Sequence, residues 1–469
     1  MSTSSNSRFA AHYNRCRNVI EELSALADEE ETGMTGLTNR ESTVYVNCVL
    51  QSLLNTPKFT FLYIMEALKP YINSNNTRGT KGAITGSLSA LADCFWCTRF
   101  KSLNTKDFLT TFSKEVNARF GGEEEGNVIF RGFNDANEFQ LLLLDSLSQD
   151  VNRVTWPVNF THEYNGHART MTTENINICA NDYFTKQKKY SSSIVNDIFR
   201  IVLCTSTSYP KCFEMRINFE ELINLSVSLA TEDGKKKYDP TPISLITCLN
   251  KHFEPSVLDE CCNECEKDLF RTQKFGVYLR KMVKDRRAID FPIDDLDMRR
   301  YLHFASPDNK HDSNTLYSLY SIVAHTGTAN SGQYTASVKN LDRTTDFWQL
   351  FNDEDRQALN YCDVKTGTAY MLYYARNGMS KVMTPEQISV AKMPLPSKNI
   401  FSLTSKLAKS RHGSFRFSGF KAPFVFTKES PVVGLFGNLL LQTPKGFELL
   451  TQAVNARSGD SRYQKLNIF

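Results

Sequence analysis

The chain has 469 residues, of which 41% are hydrophobic and 23% are charged, so it has enough apolar side chains to form a buried core. This composition excludes a globally disordered protein and a collagen-like fibre. The 55 Lys and Arg residues and the 51 Asp and Glu residues leave a net charge of +4, which by itself indicates no class of partner.

The first residues, MSTSSNSRFAAHYNRCRN, contain no apolar stretch as long as that of a signal peptide. The longest apolar stretches, such as residues 432–441, are too short to cross a bilayer. We therefore expect a soluble intracellular protein of the cytoplasm or nucleus, with no membrane span. In that environment the twelve Cys residues indicate reduced thiols rather than disulfides.

Residues 1–33 are predicted to be an N-terminal helical extension, because apolar residues recur at helical spacing between positions 13 and 27. Residues 34–377 carry helical patterns first, at 44–54 and 138–147, and strand patterns later. The predicted strands lie at 198–203, 225–229, 275–279, 316–323, 334–338 and 369–374. Helices followed by strands predict an α+β domain.

Residues 378–469 are predicted to be a basic, partly disordered C-terminal tail with a short helix at 447–454. The tail has 13 Lys and Arg against 4 Asp and Glu, a net charge of +9, whereas the remaining 42 and 47 give −5. Its basic residues and spaced Phe residues favour one of two interpretations. Either the tail contacts a nucleic acid, an acidic protein or a membrane surface, or it is a solvated segment without a partner.

Four motifs occur in residues 34–377. They read GLTNRESTVYVNCVLQSLLN from residue 36, NDANEF from residue 134, AHTGTANSGQYTA from residue 324 and AYMLYYAR from residue 369. In this order they resemble the cysteine box, the acidic box, the histidine box and the closing strand of the ubiquitin-specific protease family. The resemblance implies a papain-like α+β cysteine protease fold with fingers, palm and thumb, in which a helix N-terminus stabilises the thiolate.

Two of the three residues of the family's catalytic triad are replaced. Val44 stands at the nucleophile position and cannot form a covalent intermediate, and Gln333 stands at the general-base position and does not titrate. Asn352 retains the third position, and Ser42 replaces the Asn of the oxyanion hole. We therefore predict an inactive family member that binds ubiquitin or a ubiquitin-like protein, or that is a scaffold for other proteins of a complex.

Two alternatives stay open at this point. Cys48 lies one helical turn beyond Val44, so it is the best candidate for a displaced nucleophile in a residual deubiquitinase. The competing interpretation of Cys48 is a thiol buried in the core. The second alternative is a purely structural protein that has lost ubiquitin binding.

Asp135 and Glu138 match the acidic pair with which the family contacts the arginine-rich C-terminal tail of ubiquitin. The alternative interpretation of this pair is structural. Asp135 would cap the helix and Glu138 would stabilise its first turn, where carboxylates are favourable in any protein.

Some members of the family hold a structural zinc ion in the fingers through two Cys-x-x-Cys pairs. Three of the matching positions are Cys212, Cys262 and Cys265, and the fourth is Tyr209. A structural zinc ion takes four ligands, so Cys204 or Cys261 would have to supply the missing one. We favour fingers that have lost the metal, and we expect no other cofactor.

Overall fold

The structure is a computed structural model. It describes residues 5–27, 33–39, 43–64, 68–120, 135–161, 163–167, 169–209, 213–229, 242–255, 287–303, 306, 314–328, 332–340, 347–377, 414–415, 424–425, 449–452 and 465–468.

The described residues form nine α-helices, eight of which lie before residue 200. Their bounds are α1 Ser5–Leu23, α2 Val44–Leu54, α3 Pro57–Ile64, α4 Ala83–Trp96, α5 Lys106–Phe120, α6 Ala136–Asp150, α7 Thr173–Tyr190, α8 Ile194–Phe199 and α9 Leu245–His252. The helix predicted at 44–54 is confirmed, and the one predicted at 138–147 lies within α6. None of these helices combines the length and the apolar character that a membrane span requires.

The strands follow mainly in the second half of the chain. Their bounds are β1 Ala25–Leu26, β2 Gly36–Leu37, β3 Phe100–Leu103, β4 Glu163–His167, β5 Ile201–Ser208, β6 Glu214–Leu222, β7 Leu225–Ser228, β8 Ile243–Ser244, β9 Ile289–Asp290, β10 Leu296–Asp297, β11 Leu316–Gly327, β12 Gly332–Lys339, β13 Trp348–Asn352, β14 Asp355–Leu359, β15 Ala369–Arg376, β16 Ser414–Phe415, β17 Phe424–Val425, β18 Leu449–Gln452 and β19 Lys465–Ile468. The predicted order of helices first and strands later is confirmed. The strand predicted at 275–279 lies outside the described residues.

The main sheet runs in the order β14-β13-β12-β11-β15-β19-β7, with β10 paired to β11. Neighbouring residues of β15 point to opposite faces, so Met371 and Tyr373 join the helical core while Leu372 and Tyr374 join a second core on the other face. The helical core contains residues of α1, α2, α4, α5 and α6. The sheet is therefore covered on both faces. Strand β11 is buried along most of its length, and β12 and β15 are each buried along half of theirs.

Helix α1 lies earlier in the chain than the helical spacing between positions 13 and 27 predicts. It begins at Ser5 and buries Phe9, Tyr13 and Ile20 in the helical core, whereas Leu23 is exposed. The packing is close because Gly86 of α4 has no side chain, and a Cβ there would lie 2.4 Å from the Phe9 carbonyl oxygen. The predicted N-terminal extension thus contributes part of the main core.

In the tail, the helix predicted at 447–454 is wrong over Leu449–Gln452, which form β18 and pair in parallel with β5. Strand β19 pairs in parallel with β15 and antiparallel with β7. Most of residues 378–469 lie outside the described residues, so the predicted disorder of the tail and its contacts with a nucleic acid or an acidic protein stay predictions.

Candidate functional site

The site predicted from the cysteine box lies at the N-terminus of α2. Val44 is the first helical residue, and Thr43 precedes it as the N-cap. The backbone N–H of Thr43 donates to Asn39 Oδ1 at 3.2 Å, which holds the incoming loop against the helix start. Val44 packs half-buried against the helical core, and Ser42 lies outside the described residues. The residue that begins the helix is therefore an apolar side chain with no group that reacts or titrates.

Asn47, one turn into α2, connects the helix to the rest of the site. Its side-chain Nδ2 donates to Asp353 Oδ1 at 2.8 Å and lies 3.3 Å from the carbonyl oxygens of Leu37 and Thr38. The Leu37 N–H donates to the Asp353 carbonyl oxygen at 3.0 Å. One buried amide therefore joins the helix, the loop before it and the β13–β14 turn.

Two backbone features allow the β13–β14 turn to approach the loop. Asp353 adopts a φ of 56°, a left-handed conformation that Asp tolerates better than most residues. Gly36 lies so close to Glu354 that a Cβ there would be 2.6 Å from the Glu354 carbonyl oxygen. Burial raises the pKa of Asp353, while side-chain hydrogen bonds from Asn47 and Asn39 oppose that rise.

Gln333 and Asn352 lie on the neighbouring strands β12 and β13. The Gln333 amide donates from Nε2 to Asn352 Oδ1 at 2.7 Å. Gln333 is exposed, and Asn352 is half-buried. The sequence prediction that these two positions belong to one site is consistent with this contact. A pair of neutral amides can hold a fixed geometry, but it cannot accept and return a proton near neutral pH.

Cys48 is a core residue. Its side chain is 2% exposed and packs in the helical core. Burial, and then the nearby negative charge of Asp353, raises the pKa of Cys48 well above its usual range. A nucleophilic Cys needs the opposite conditions, namely access to substrate and surroundings that favour the thiolate. The geometry thus favours the core interpretation of Cys48 over the displaced nucleophile.

His325 is the histidine nearest in sequence to the general-base position. It lies on β11 directly opposite Tyr334 of β12, and their rings stack with centroids 4.4 Å apart. It is 8% exposed, and a Cβ at Gly332 would lie 2.1 Å from its Nε2. Gly332 is thus required for the close approach of the imidazole. These contacts hold His325 as a packed aromatic ring between two strands.

The acidic pair lies at the first turn of α6. Asp135 is the N-cap residue, and its Oδ1 accepts a hydrogen bond from the Glu138 N–H at 3.0 Å. Its Oδ2 accepts from the Tyr370 hydroxyl at 2.6 Å. Glu138 is exposed, and burial followed by the charge of Asp135 raises its pKa. The predicted capping role of Asp135 is confirmed, and it leaves the Glu138 carboxylate at the surface.

The zinc prediction falls mostly outside the described residues, which exclude Cys212, Cys261, Cys262 and Cys265. Cys204 is described, and it is a poor fourth ligand. Its side chain is buried in an apolar cluster against Phe219, and burial raises its pKa to about 12. A zinc ligand must be a thiolate, which this environment disfavours. Among the described residues no group of three metal-binding side chains occurs.

Three residues that organise the site, Asn47, Gln51 and Tyr370, have no role in the prediction from sequence. Asn47 and Gln51 are polar residues one turn apart on a mostly apolar helix, and this spacing is a usable signal. Gln51 donates from Nε2 to the Thr35 carbonyl oxygen at 2.9 Å, so both amides fasten the segment before α2. Tyr370 has no comparable signal, because an aromatic residue in a strand is usually part of the core.

Comparison with known proteins shows several similar sequences. Ubiquitin carboxyl-terminal hydrolase 2 of Bos taurus is 27% identical over 369 residues, which cover 73% of this chain and 55% of that protein. Ubiquitin carboxyl-terminal hydrolase 3 of Homo sapiens is 25% identical over 422 residues, covering 79% of this chain and 75% of that protein. The chain thus spans about half the length of the first of these relatives.

Among solved structures, a chain of the yeast SAGA DUB module with a variant Sgf73 is 18% identical, with a TM-score of 0.47 over 77% of this chain and 72% of that one. The family model described as ubiquitin carboxyl-terminal hydrolase matches residues 35–374. That match includes the first three motifs, residues 369–374 of the fourth, and most of the described residues. The chain therefore belongs to the ubiquitin carboxyl-terminal hydrolase family and has the papain-like α+β fold of the ubiquitin-specific proteases.

Proposed function

We propose that this chain is a catalytically inactive ubiquitin-specific protease that binds ubiquitin, or a ubiquitin-like protein, as a scaffold. The observation that carries the proposal is the hydrogen bond between Gln333 and Asn352, 2.7 Å long, at the place where the family has its general base. Together with Val44 at the first position of α2, this contact leaves positions 44 and 333 with neither a nucleophile nor a proton acceptor. In a serine-protease triad, loss of either role costs on the order of 10⁶ in kcat.

Binding depends on other residues than catalysis does. The acidic pair Asp135 and Glu138 lies on a capped helix that packs against α2, through the edge-to-face contact of Tyr45 with Phe139. Two carboxylates in one helical turn attract the arginine side chains of a basic peptide. The body of the chain, residues 1–377, carries a net charge of −5, which favours encounter with a basic partner.

Covalent labelling tests the loss of catalysis. The full chain is incubated with ubiquitin that carries a C-terminal electrophile, and adducts are detected by mass spectrometry. We expect no adduct. An adduct that disappears in Cys48→Ala would overturn the proposal and would establish the displaced-thiol deubiquitinase instead.

Titration with unmodified ubiquitin tests binding. We expect saturable binding that Asp135→Arg abolishes, because the new cation repels a basic tail. Glu174→Arg is the matched control, since Glu174 also lies exposed in the first turn of a capped helix, α7. We expect this variant to bind as the wild type does. Absence of binding at millimolar ubiquitin would overturn the ubiquitin-binding part and favour a purely structural protein.

A further inference from the structure

The segment at residues 151–161, between α6 and β4, exposes two large apolar side chains. Trp156 is 83% exposed, the highest value among the large hydrophobic residues in the described part of the chain, and Val158 is 61% exposed. Only Pro157 separates them in the sequence. Neighbouring exposed apolar side chains bordered by polar residues mark contact surfaces, whereas scattered ones do not. The segment is therefore a candidate interaction surface.

Both ends of the segment are fixed to the body of the protein. At its start, Asn152 Oδ1 accepts a hydrogen bond from the Ser192 N–H at 3.0 Å, just beyond the end of α7. Towards its other end, the Phe160 ring makes edge-to-face contacts with Tyr183 and Tyr190 of α7, with centroids 5.8 and 6.4 Å apart. The two exposed side chains lie between these fixed points, so their exposure does not result from a slack loop.

The helix beside the segment carries positive charge. Its last two turns contain Lys186, Lys188 and Lys189. Lys186 lies about one turn from each of the two tyrosines that contact Phe160, so it shares their face of the helix. It pairs with Asp182 at 2.6 Å, whereas the other two lysines are exposed. Residues 151–200 contain six Lys and Arg against four Asp and Glu, a net charge of +2.

The size and composition of this surface favour a lipid bilayer over a macromolecule. Trp156 and Val158 offer on the order of 300 Å² of apolar surface, whereas a stable protein interface buries about 800 Å² on each partner. Proteins that bind single-stranded nucleic acid stack successive bases on several aromatic rings, and this segment exposes one. A Trp at the headgroup level and lysines near anionic lipids are favourable in an interfacial contact.

We propose that residues 154–159 form a membrane-contact loop that docks on an anionic lipid bilayer. Trp156 and Val158 enter the boundary between headgroups and acyl chains, and the lysines of α7 contact the phosphate groups of the lipids. The contact is peripheral and reversible, because two apolar side chains supply it rather than a spanning helix. It does not depend on the binding of ubiquitin.

Tryptophan fluorescence of the full chain tests the insertion directly. Trp96 and Trp348, the other two tryptophans of the chain, are fully buried, so a change of solvent exposure at the surface is reported by Trp156. We expect vesicles of phosphatidylcholine and phosphatidylserine to shift its emission to shorter wavelength. Vesicles of phosphatidylcholine alone should give a smaller shift. Lipids with brominated acyl chains should quench the emission, because quenching requires contact with the ring.

Cosedimentation with the same anionic vesicles measures the contribution of each side chain. We expect Trp156→Ala to weaken binding at least about tenfold and Lys189→Gln to weaken it about fivefold, the usual effect of one cation near an anionic surface. The matched controls are Leu26→Ala and Lys101→Gln, which remove an exposed apolar side chain on β1 and an exposed cation on β3. Both controls should bind as the wild type does.

Three results would overturn the proposal. The first is a wild-type chain that does not sediment with anionic vesicles. The second is sedimentation with unchanged Trp156 emission, which would show that another part of the chain, such as the basic tail, holds the vesicle. The third is an emission shift with a single-stranded oligonucleotide or an acidic peptide and none with vesicles, which would assign the loop to that partner instead.

Discussion

The Gln333 side chain donates a hydrogen bond from Nε2 to Asn352 Oδ1 across the strands β12 and β13, over 2.7 Å. In a thiol protease, a histidine oriented by a side-chain oxygen accepts the proton of the nucleophile. Here the Asn352 side-chain oxygen accepts such a hydrogen bond, but the group that donates it is an amide. Two amides in contact cannot carry a proton between them as a histidine and its partner do.

Because Asn352 contacts the side chain at position 333, we predict that two substitutions restore reactivity. Val44→Cys supplies a thiol at the helix N-terminus, and Gln333→His supplies a base next to Asn352. The double variant is expected to react with electrophilic ubiquitin about 10² to 10⁴ times faster than Val44→Cys alone, which is the usual contribution of a positioned base. The rate is measured from the appearance of the covalent adduct.

The control for this restoration is Asn352→Ala in the double-variant background. Removal of the orienting oxygen should lower the rate again, while Gln333→His alone should stay unreactive for lack of a thiol. If the double variant reacts no faster than Val44→Cys alone, then the retained hydrogen bond does not mark a catalytic geometry.

Cys48 is predicted to be inert towards small alkylating reagents in the folded protein. Its side chain is 2% exposed, and burial raises its pKa, so the reactive thiolate is scarcely populated. Cys362 is exposed and is expected to be alkylated before Cys48. Peptide mapping after brief treatment with iodoacetamide measures both sites. Alkylation of Cys48 at a rate similar to that of Cys362 would contradict the core assignment.

The hydrogen bonds of the Asn47 side chain are expected to stabilise the folded protein. Asn47→Leu removes the hydrogen bond to Asp353 and the contacts with the carbonyl oxygens of Leu37 and Thr38, so we expect a loss of about 2 kcal/mol in the free energy of unfolding. Gln51→Met is the matched variant, because it removes a single contact, with Thr35, and should cost about 1 kcal/mol. Urea unfolding measures both values. Equal losses in the two variants would contradict a special role of Asn47.

The fold was largely predictable because its signals are local. The apolar stretch at Val44–Leu54 has the length of a helix, and the shorter, aromatic-rich apolar stretch at Ala369–Arg376 has the length of a buried strand. The predicted strand at 198–203 failed in its first half, where Ile194–Phe199 form a helix capped by Ser193. Ser followed by an apolar stretch was the overlooked signal of that helix start.

The site was predictable only where the sequence itself carries the chemistry. Val44 and Gln333 lack reactive groups whatever surrounds them, so the sequence alone supports the prediction that they stand at the positions of a nucleophile and a base. The contact of Tyr370 with Asp135 joins residues 235 positions apart, and the contact of Asn47 with Asp353 joins residues 306 positions apart. A single sequence contains no record of such pairs, because tertiary packing alone brings them together.

The buried His303 is expected to make the protein lose stability as the pH falls. It is 1% exposed, and burial lowers its pKa from 6.5 to about 4. Between those values the unfolded chain binds more protons than the folded one, so the contribution of His303 is fully present above about pH 6.5 and is lost as the pH falls through about 4. The steepest loss is about 1.4 kcal/mol per pH unit. His303→Gln removes this titration, so its free energy of unfolding should fall less than that of the wild type between pH 6.5 and 4. Urea unfolding at several pH values measures both slopes, and equal slopes would show that His303 is protonated in the folded protein as readily as in the unfolded chain.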